Sequence, residues 1–324
     1  MTTWFAGELL MRLACEDAER FEQAERFRVR YTGAEANAAV AMCSLGAADV
    51  ELLSAVPDDA IGRSCLAGLR RYGPGVSHVV AAPGRLGIFY LETGAHVRPS
   101  QCIYDRAGSV FAETPFEVYG AEKLFAASPG GWLHLSGTMG ALSPNCRTLA
   151  RKLVSAAKAA GLTGSFDLNY RARLWGKEDA RAAFRELVTV TDVLIANEGV
   201  AEEFLGAPAA ELCGKFGLLA ACLTTRRDID ASQTAFGARM FRANGAFAEA
   251  PVRAFGVVDR VGGGDAFAGA MIWALRQKDW DDARRIAFAA ACGVLKHETR
   301  GDFSLSTREE VDAFLAGGDA AIRR

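Results

Sequence analysis

Val257-Val258-Asp259-Arg260-Val261-Gly262-Gly263-Gly264-Asp265-Ala266-Phe267-Ala268-Gly269 is the stretch that decides the fold of this 324-residue chain. Three consecutive glycines let the backbone curl with its N–H groups turned inward. The apolar run Ala266 to Leu275, broken only by Gly269, predicts a buried helix starting at Asp265. Backbone donors at the positive end of a helix dipole make an anion hole, suited to a phosphate and to the charge that grows during phosphoryl transfer. Asp265 then stands where it can take a proton from an attacking hydroxyl, and the dipole is expected to keep it ionised at neutral pH. Without its surroundings, the same string also fits a glycine turn with Asp265 as an ordinary helix N-cap.

Working upstream, Trp132 to Ser136 reads as a buried strand, Ser143 to Ala160 as a helix closed by Gly161, and Thr163 to Leu168 as the next strand, delivering Asp167 and Asn169. Asp192 to Glu198 repeats the pattern, and Leu218 to Leu223 gives a further core strand. Strand, helix and strand at this spacing build a parallel sheet with crossover helices, which places ligands at the carboxyl ends of the strands. His134 lies inside an apolar strand and reads as a core histidine.

Nearer the start, Trp4 to Leu10 reads as a first core strand ending in Gly7-Glu8, followed by a polar segment, Cys15 to Arg26. Phe27 to Tyr31 alternates like a half-exposed strand, and Thr32-Gly33-Ala34-Glu35-Ala36-Asn37 turns into an alanine-rich helix. Small residues there leave room for a ligand at the helix N-terminus, although a plain strand-to-helix turn fits as well. A strand over 49–56 and an amphipathic helix from Arg63 to Tyr72 follow, the helix stopping before Gly73-Pro74. Residues 85–92 and 100–106 read as two more strands which, with 27–31, form a small sheet standing off the core.

Two segments pair in kind. Tyr104-Asp105-Arg106 and Asp167-Leu168-Asn169-Tyr170-Arg171 each set an arginine beside an acidic or amide group and a tyrosine near a strand end. An arginine fork holds a planar carboxylate by two parallel hydrogen bonds, so two of them favour an acidic ligand. The alternative is that Arg106 pairs with Asp105 or Glu113, and Arg171 with Asp167, as surface ion pairs worth about 0–1 kcal/mol each.

Composition narrows the partners. Half the residues are hydrophobic and the net charge is −2, so no basic field recruits nucleic acid or an anionic membrane surface. The 8 cysteines form no CxxC pair and the 4 histidines show no ligand spacing, which predicts reduced, packed thiols. No leader pattern and no apolar run of about 18 residues appears, and a cytoplasmic protein is expected. No Walker-type Gly-x-x-x-x-Gly-Lys-Ser/Thr occurs either, so a nucleotide would rest on the anion hole and its neighbourhood.

The Asp259 to Phe267 string resembles the C-terminal signature of the ribokinase-like (PfkB) carbohydrate kinases, Asp-Thr-x-Gly-Ala-Gly-Asp-Ala-Phe. Its Asp-Arg-Val-Gly-Gly-Gly-Asp form is similar to the 2-keto-3-deoxygluconate kinase branch, as are Tyr-Asp-Arg-Ala from Tyr104 and Asp-Leu-Asn-Tyr-Arg-x-x-Leu-Trp from Asp167. The resemblance implies a three-layer α/β/α sandwich in one kinase domain over 1–324, with a small β-sheet lid from about 12–32 and 85–110. It implies ATP and Mg²⁺ as cofactors, a sugar acid as substrate, and a homo-oligomer formed through the lid. Asp265 would be the base, with Gly262, Gly263 and Gly264 as the anion hole. Gly33, Asn37, Tyr90, Tyr104, Arg106 and Arg171 would meet the sugar, with Asp302 reaching it from the 296–303 loop.

Asn169, Asn197, Thr225 and Arg227 would border the nucleotide, although Thr225 and Arg227 also fit a solvated basic turn. Glu198 would act on the magnesium indirectly, and Asp259 would support a monovalent cation, K⁺. The chain departs from the family pattern at Thr32, where a first glycine is expected, and at Val200, where the Asn-x-x-Glu motif expects an acid. Thr32 bears on how closely the backbone approaches the sugar, and Val200 on metal handling. A kinase for a neutral sugar, fructose or ribose, and a non-catalytic sugar-acid-binding relative are the competing readings. After the final helix, Thr307 to Ala316, the tail is expected to fray.

Overall fold

A computed structural model describes residues 1–317 of the chain, so the tail expected to fray after the final helix falls largely outside the described residues. The main sheet is built from β1 (Thr3–Ala6), β4 (Val50–Pro57), β5 (Val79–Ala82), β8 (Trp132–Ser136), β9 (Thr163–Asp167), β10 (Val193–Asn197), β11 (Ala220–Asp228), β12 (Gln233–Arg242) and β13 (Phe247–Gly256). Its order is β13-β12-β11-β10-β9-β8-β1-β4-β5. The strands from β5 to β11 pair in parallel, and β12 and β13 close one edge in antiparallel fashion. Parallel strands are covered on both faces, which is why β8 reads Trp-Leu-His-Leu-Ser and is buried at every position.

Helices lie on both faces. One apolar layer gathers Phe267, Met271 and Phe288 beneath the helices Gly263–Leu275 and Asp282–His297. The other gathers Leu149, Leu153, Phe184 and Phe204. The result is the expected ribokinase-like three-layer α/β/α sandwich. His134 sits in its core, its Nδ1 2.9 Å from the Ser165 hydroxyl, and burial pulls its pKa down to about 3. The helices Ala34–Ser44 and Gly263–Leu275 approach so closely that a Cβ on Gly269 would strike the Ala38 carbonyl, which accounts for the alanines and for Gly269.

A second sheet is the lid, β2 (Leu10–Ala14), β3 (Arg28–Thr32), β6 (Gly87–Glu92) and β7 (Gln101–Asp105), in the order β3-β2-β6-β7. Here the single strand expected over Trp4 to Leu10 is corrected. β1 stops at Ala6 and the chain bends through Gly7 to Leu9 into β2. Position 7 must be glycine because the Glu35 carboxylate fills the space a Cβ there would need. The amphipathic helix expected from Arg63 starts earlier, at Ala60, because the Asp59 carboxylate caps it by accepting from the N–H groups of Ile61 (2.8 Å) and Gly62 (2.9 Å).

Candidate active site

The organising helix begins at Gly263, two residues before the expected start at Asp265. Gly262 serves as its N-cap with φ +87, a left-handed conformation open to glycine, and a Cβ there would collide with the Asp302 carbonyl. Asp265 is therefore in the first turn rather than at the cap. Its Oδ2 accepts from Asn37 Nδ2 at 2.7 Å and its Oδ1 from Asn169 Nδ2 at 3.5 Å. Asn37 is itself oriented by Thr32, whose hydroxyl donates to Asn37 Oδ1 at 2.7 Å. The residue that departs from the glycine pattern thus fixes the amide that meets Asp265.

Asp265 is buried, and burial raises its pKa despite the opposing Asn37 bond and the nearby Arg171 and Lys296 charges. The helix dipole favours the ionised form, and desolvation of the carboxylate opposes it as the larger effect. Two more buried carboxyls stand close. Burial lifts Glu35 to about 7 although Ser136 donates to it through its N–H (3.0 Å) and hydroxyl (2.6 Å). Burial, then the Asp265 charge, lifts Asp167 to about 7 as well.

Asp265 opens into a cavity of about 770 Å³ between the lid and the carboxyl ends of the main strands. Gly33, Asn37, Tyr104, Arg106, Asn169, Arg171, Asn197, Asp259, Gly262 and Gly264 all line it. Arg106 is held by Glu8, Nε to Oε2 at 2.6 Å, while Ser109 donates to the other Glu8 oxygen. Neither Asp105 nor Glu113 is its partner, and Asp105 pairs with Arg85 instead. Among the described residues Arg171 makes no ion pair with Asp167; its guanidinium donates to the Tyr170 carbonyl at 3.4 Å, and the residue is exposed.

Other expectations are corrected. Tyr90 sits on the far face of β6, edge-on to Phe27, while its neighbours Phe89 and Leu91 line the cavity. On β11 it is Thr224, Arg226 and Asp228 that line the cavity, whereas Thr225 donates to Glu198 Oε2 at 3.3 Å and Arg227 is exposed. Glu198 is engaged by Thr225 and Arg239 and does not line the cavity. Gly263 packs against the His297 ring, leaving Gly262 and Gly264 as the glycines that face the opening. Asp302 is 3% exposed and bound to Arg12 rather than turned to the cavity.

Two residues that sequence reading missed therefore matter. Glu8 positions Arg106, and Arg12 reaches from the lid to Asp259 (2.8 Å) and Asp302. The only hint was a charge inside the apolar alternation Leu10-Met11-Arg12-Leu13-Ala14.

The donor set suits a magnesium ion that arrives with nucleotide phosphates. Among the described residues no group of three or more His, Cys, Asp or Glu gathers to hold a metal by itself, and Asn197 offers only an amide to the cavity. Val200 also lines that wall, so the acid missing from the Asn-x-x-Glu motif is replaced there by an apolar contact.

Known proteins resemble the chain over nearly its full length. The chain is 36% identical over 325 residues to the 2-dehydro-3-deoxygalactonokinase of Haloferax volcanii, covering 98% of both chains. It is 29% identical to the 2-dehydro-3-deoxygluconokinase of Thermoproteus tenax, over 91% of this chain and 88% of that one. The crystal structure of a 2-dehydro-3-deoxygluconokinase from Thermotoga maritima superposes with a TM-score of 0.92 at 34% identity, covering 98% of this chain and 100% of that one. With a polar cavity over an aspartate in the first turn of a glycine-capped helix, and a family profile that matches residues 5–307, the chain belongs to the pfkB family of carbohydrate kinases.

Proposed function

We propose that this sugar kinase transfers the γ-phosphoryl group of Mg-ATP to the 6-hydroxyl of 2-keto-3-deoxygluconate, giving 2-keto-3-deoxy-6-phosphogluconate. The observation that carries the proposal is that Arg106 and Arg171 line the same cavity as Asp265. Two guanidinium groups match a carboxylate at one end of a short sugar, with the base at its other end. Asp265 removes the hydroxyl proton as the new O–P bond forms and the bond to ADP breaks. The N–H groups of Gly262 and Gly264 hold the moving phosphoryl. When bound, magnesium would neutralise charge on the nucleotide phosphates, with Asn197 offering its amide from the cavity wall.

Coupled ADP release with this sugar acid, its galactonate epimer, fructose and ribose tests the assignment. The epimer is included because the Haloferax relative carries that name. Arg171→Ala is the cleaner probe, since among the described residues the Arg171 guanidinium bonds only to a main-chain carbonyl. Losing a charge-assisted pair worth about 1.5–3 kcal/mol should raise KM for the acid by roughly 10- to 100-fold and leave any neutral-sugar turnover unchanged. Preferred turnover of fructose or ribose, surviving Arg171→Ala, would replace the sugar acid with a neutral sugar. Ligand binding without ADP release would make the chain a sensor.

The outer lid face supports a second copy as partner. Val29, Leu13, Tyr90 and Ile103 align across β3, β2, β6 and β7 in one row, and Val29 and Ile103 are each about half exposed. An apolar row across a sheet face is a pairing surface. Light scattering on the purified chain should give a dimer, and Ile103→Glu a monomer; a monomeric wild type would remove the lid interface from the proposal.

A further inference from the structure

Lys296, in the last turn of the helix Asp282–His297, is 0% exposed. Its ammonium donates to two main-chain carbonyls, Asp259 O at 3.0 Å and Thr299 O at 3.4 Å. An ammonium fixed among carbonyl oxygens is chemically a monovalent cation on a tether. The same turn grips the loop from its other side, because the N–H groups of Val258 (2.8 Å) and Asp259 (3.1 Å) both donate to the His297 carbonyl. Three residues later the chain reaches Gly262, so this grip sets where the glycine loop begins.

Arg12 and Lys296 stand among the carboxylates of Asp259, Asp302 and Asp265, whose charges oppose the lowering of the Lys296 pKa by burial. Both Asp259 oxygens are occupied, Oδ1 by the Val261 N–H (3.1 Å) and Oδ2 by Arg12 (2.8 Å) and the Gly301 N–H (3.0 Å). A further ion here would have to displace these contacts in a desolvated place, which is costly.

We propose that Lys296 is a built-in cation that takes the place of free potassium beneath the glycine loop, positioning Gly262 and Gly264 so that turnover needs no monovalent ion. The inference rests on the glycine loop being the phosphoryl site. It makes Lys296 a positioning residue that touches neither substrate.

The test compares wild type with Lys296→Ala in choline, potassium and ammonium chloride at matched ionic strength, following turnover and thermal melting. Wild-type turnover and melting temperature should be the same in all three salts within about twofold in rate. Lys296→Ala should lose about tenfold or more in kcat in choline with little change in KM, and potassium or ammonium should restore most of it. The same two salts should raise the melting temperature of the variant and not that of wild type. Potassium stimulation of the wild type by about fivefold or more would overturn the proposal, as would a Lys296→Ala defect that no monovalent cation repairs. If the alanine variant fails to fold, Lys296→Met keeps the stem and carries the same comparison. Absence of turnover on every sugar acid would count against the proposed function alone, since the melts judge Lys296 without substrate.

Discussion

Asp265→Asn should lower kcat with Mg-ATP and the sugar acid by about two to four powers of ten, with KM and the melting temperature little changed. The substitution keeps the shape, and the amide oxygen can still accept from Asn37, which holds Asp265 at 2.7 Å. What it removes is the proton acceptor. A structural aspartate would give a different result, because burial of this carboxyl works against the charged form and a neutral replacement would then cost nothing or add stability. Loss of less than about tenfold in stopped assays would assign the base elsewhere, with Asp167 next in line on the same wall.

The pH dependence separates activity from stability around the same acids. A base whose pKa is raised is protonated sooner on acidification, so kcat/KM should fall as pH drops, beginning higher than an ordinary carboxylate would allow. Stability moves the other way. Glu35 and Asp167 titrate near 7 in the folded chain against about 4 when unfolded, so between those values the native state binds more protons. Their contribution is complete below about 4 and is lost as pH rises through about 7. Urea unfolding followed from pH 5 to 8 should therefore show these two groups eroding stability while the rate climbs.

The parts of the fold that were legible in the sequence are those with one dominant cause. Strands such as Trp132–Ser136 are apolar on both faces, and the glycine run has one economical use in front of a buried helix. Register was less legible. Tyr90 and the pair Thr225 and Arg227 were each assigned to the face opposite the one they occupy, since in a short mixed strand a shift by one residue exchanges the faces and composition does not choose between them. Partnerships of side chains far apart in sequence were not legible at all. Arg12 and Asp302 lie 290 residues apart, and nothing local marks either as the other's counter-ion. Thr32 stands out in the sequence only as a departure from pattern, and its hydroxyl orients Asn37.

Arg12→Met should be the most destabilising of the single changes considered, by about 3–5 kcal/mol in urea unfolding. Arg12 is buried between two carboxylates that are themselves 12% and 2% exposed, so its removal strands Asp259 and Asp302 with Lys296 as their remaining cation. Paired replacement sorts the mechanism. If the cost is an uncompensated charge, adding Asp302→Asn to Arg12→Met should recover part of the loss, because a buried pair removed together costs far less than one partner removed alone. If the cost is lost packing of the arginine stem, the double variant will be no better than the single. A functional signature should accompany the first outcome. Arg12 links lid strand β2 to the loop that leads into Gly262, so the single variant should lose kcat beyond what its folded fraction explains, and the double variant should regain stability without regaining rate. A single variant within about 1 kcal/mol of wild type would mean that the lid and the glycine loop are not tied through this ion pair.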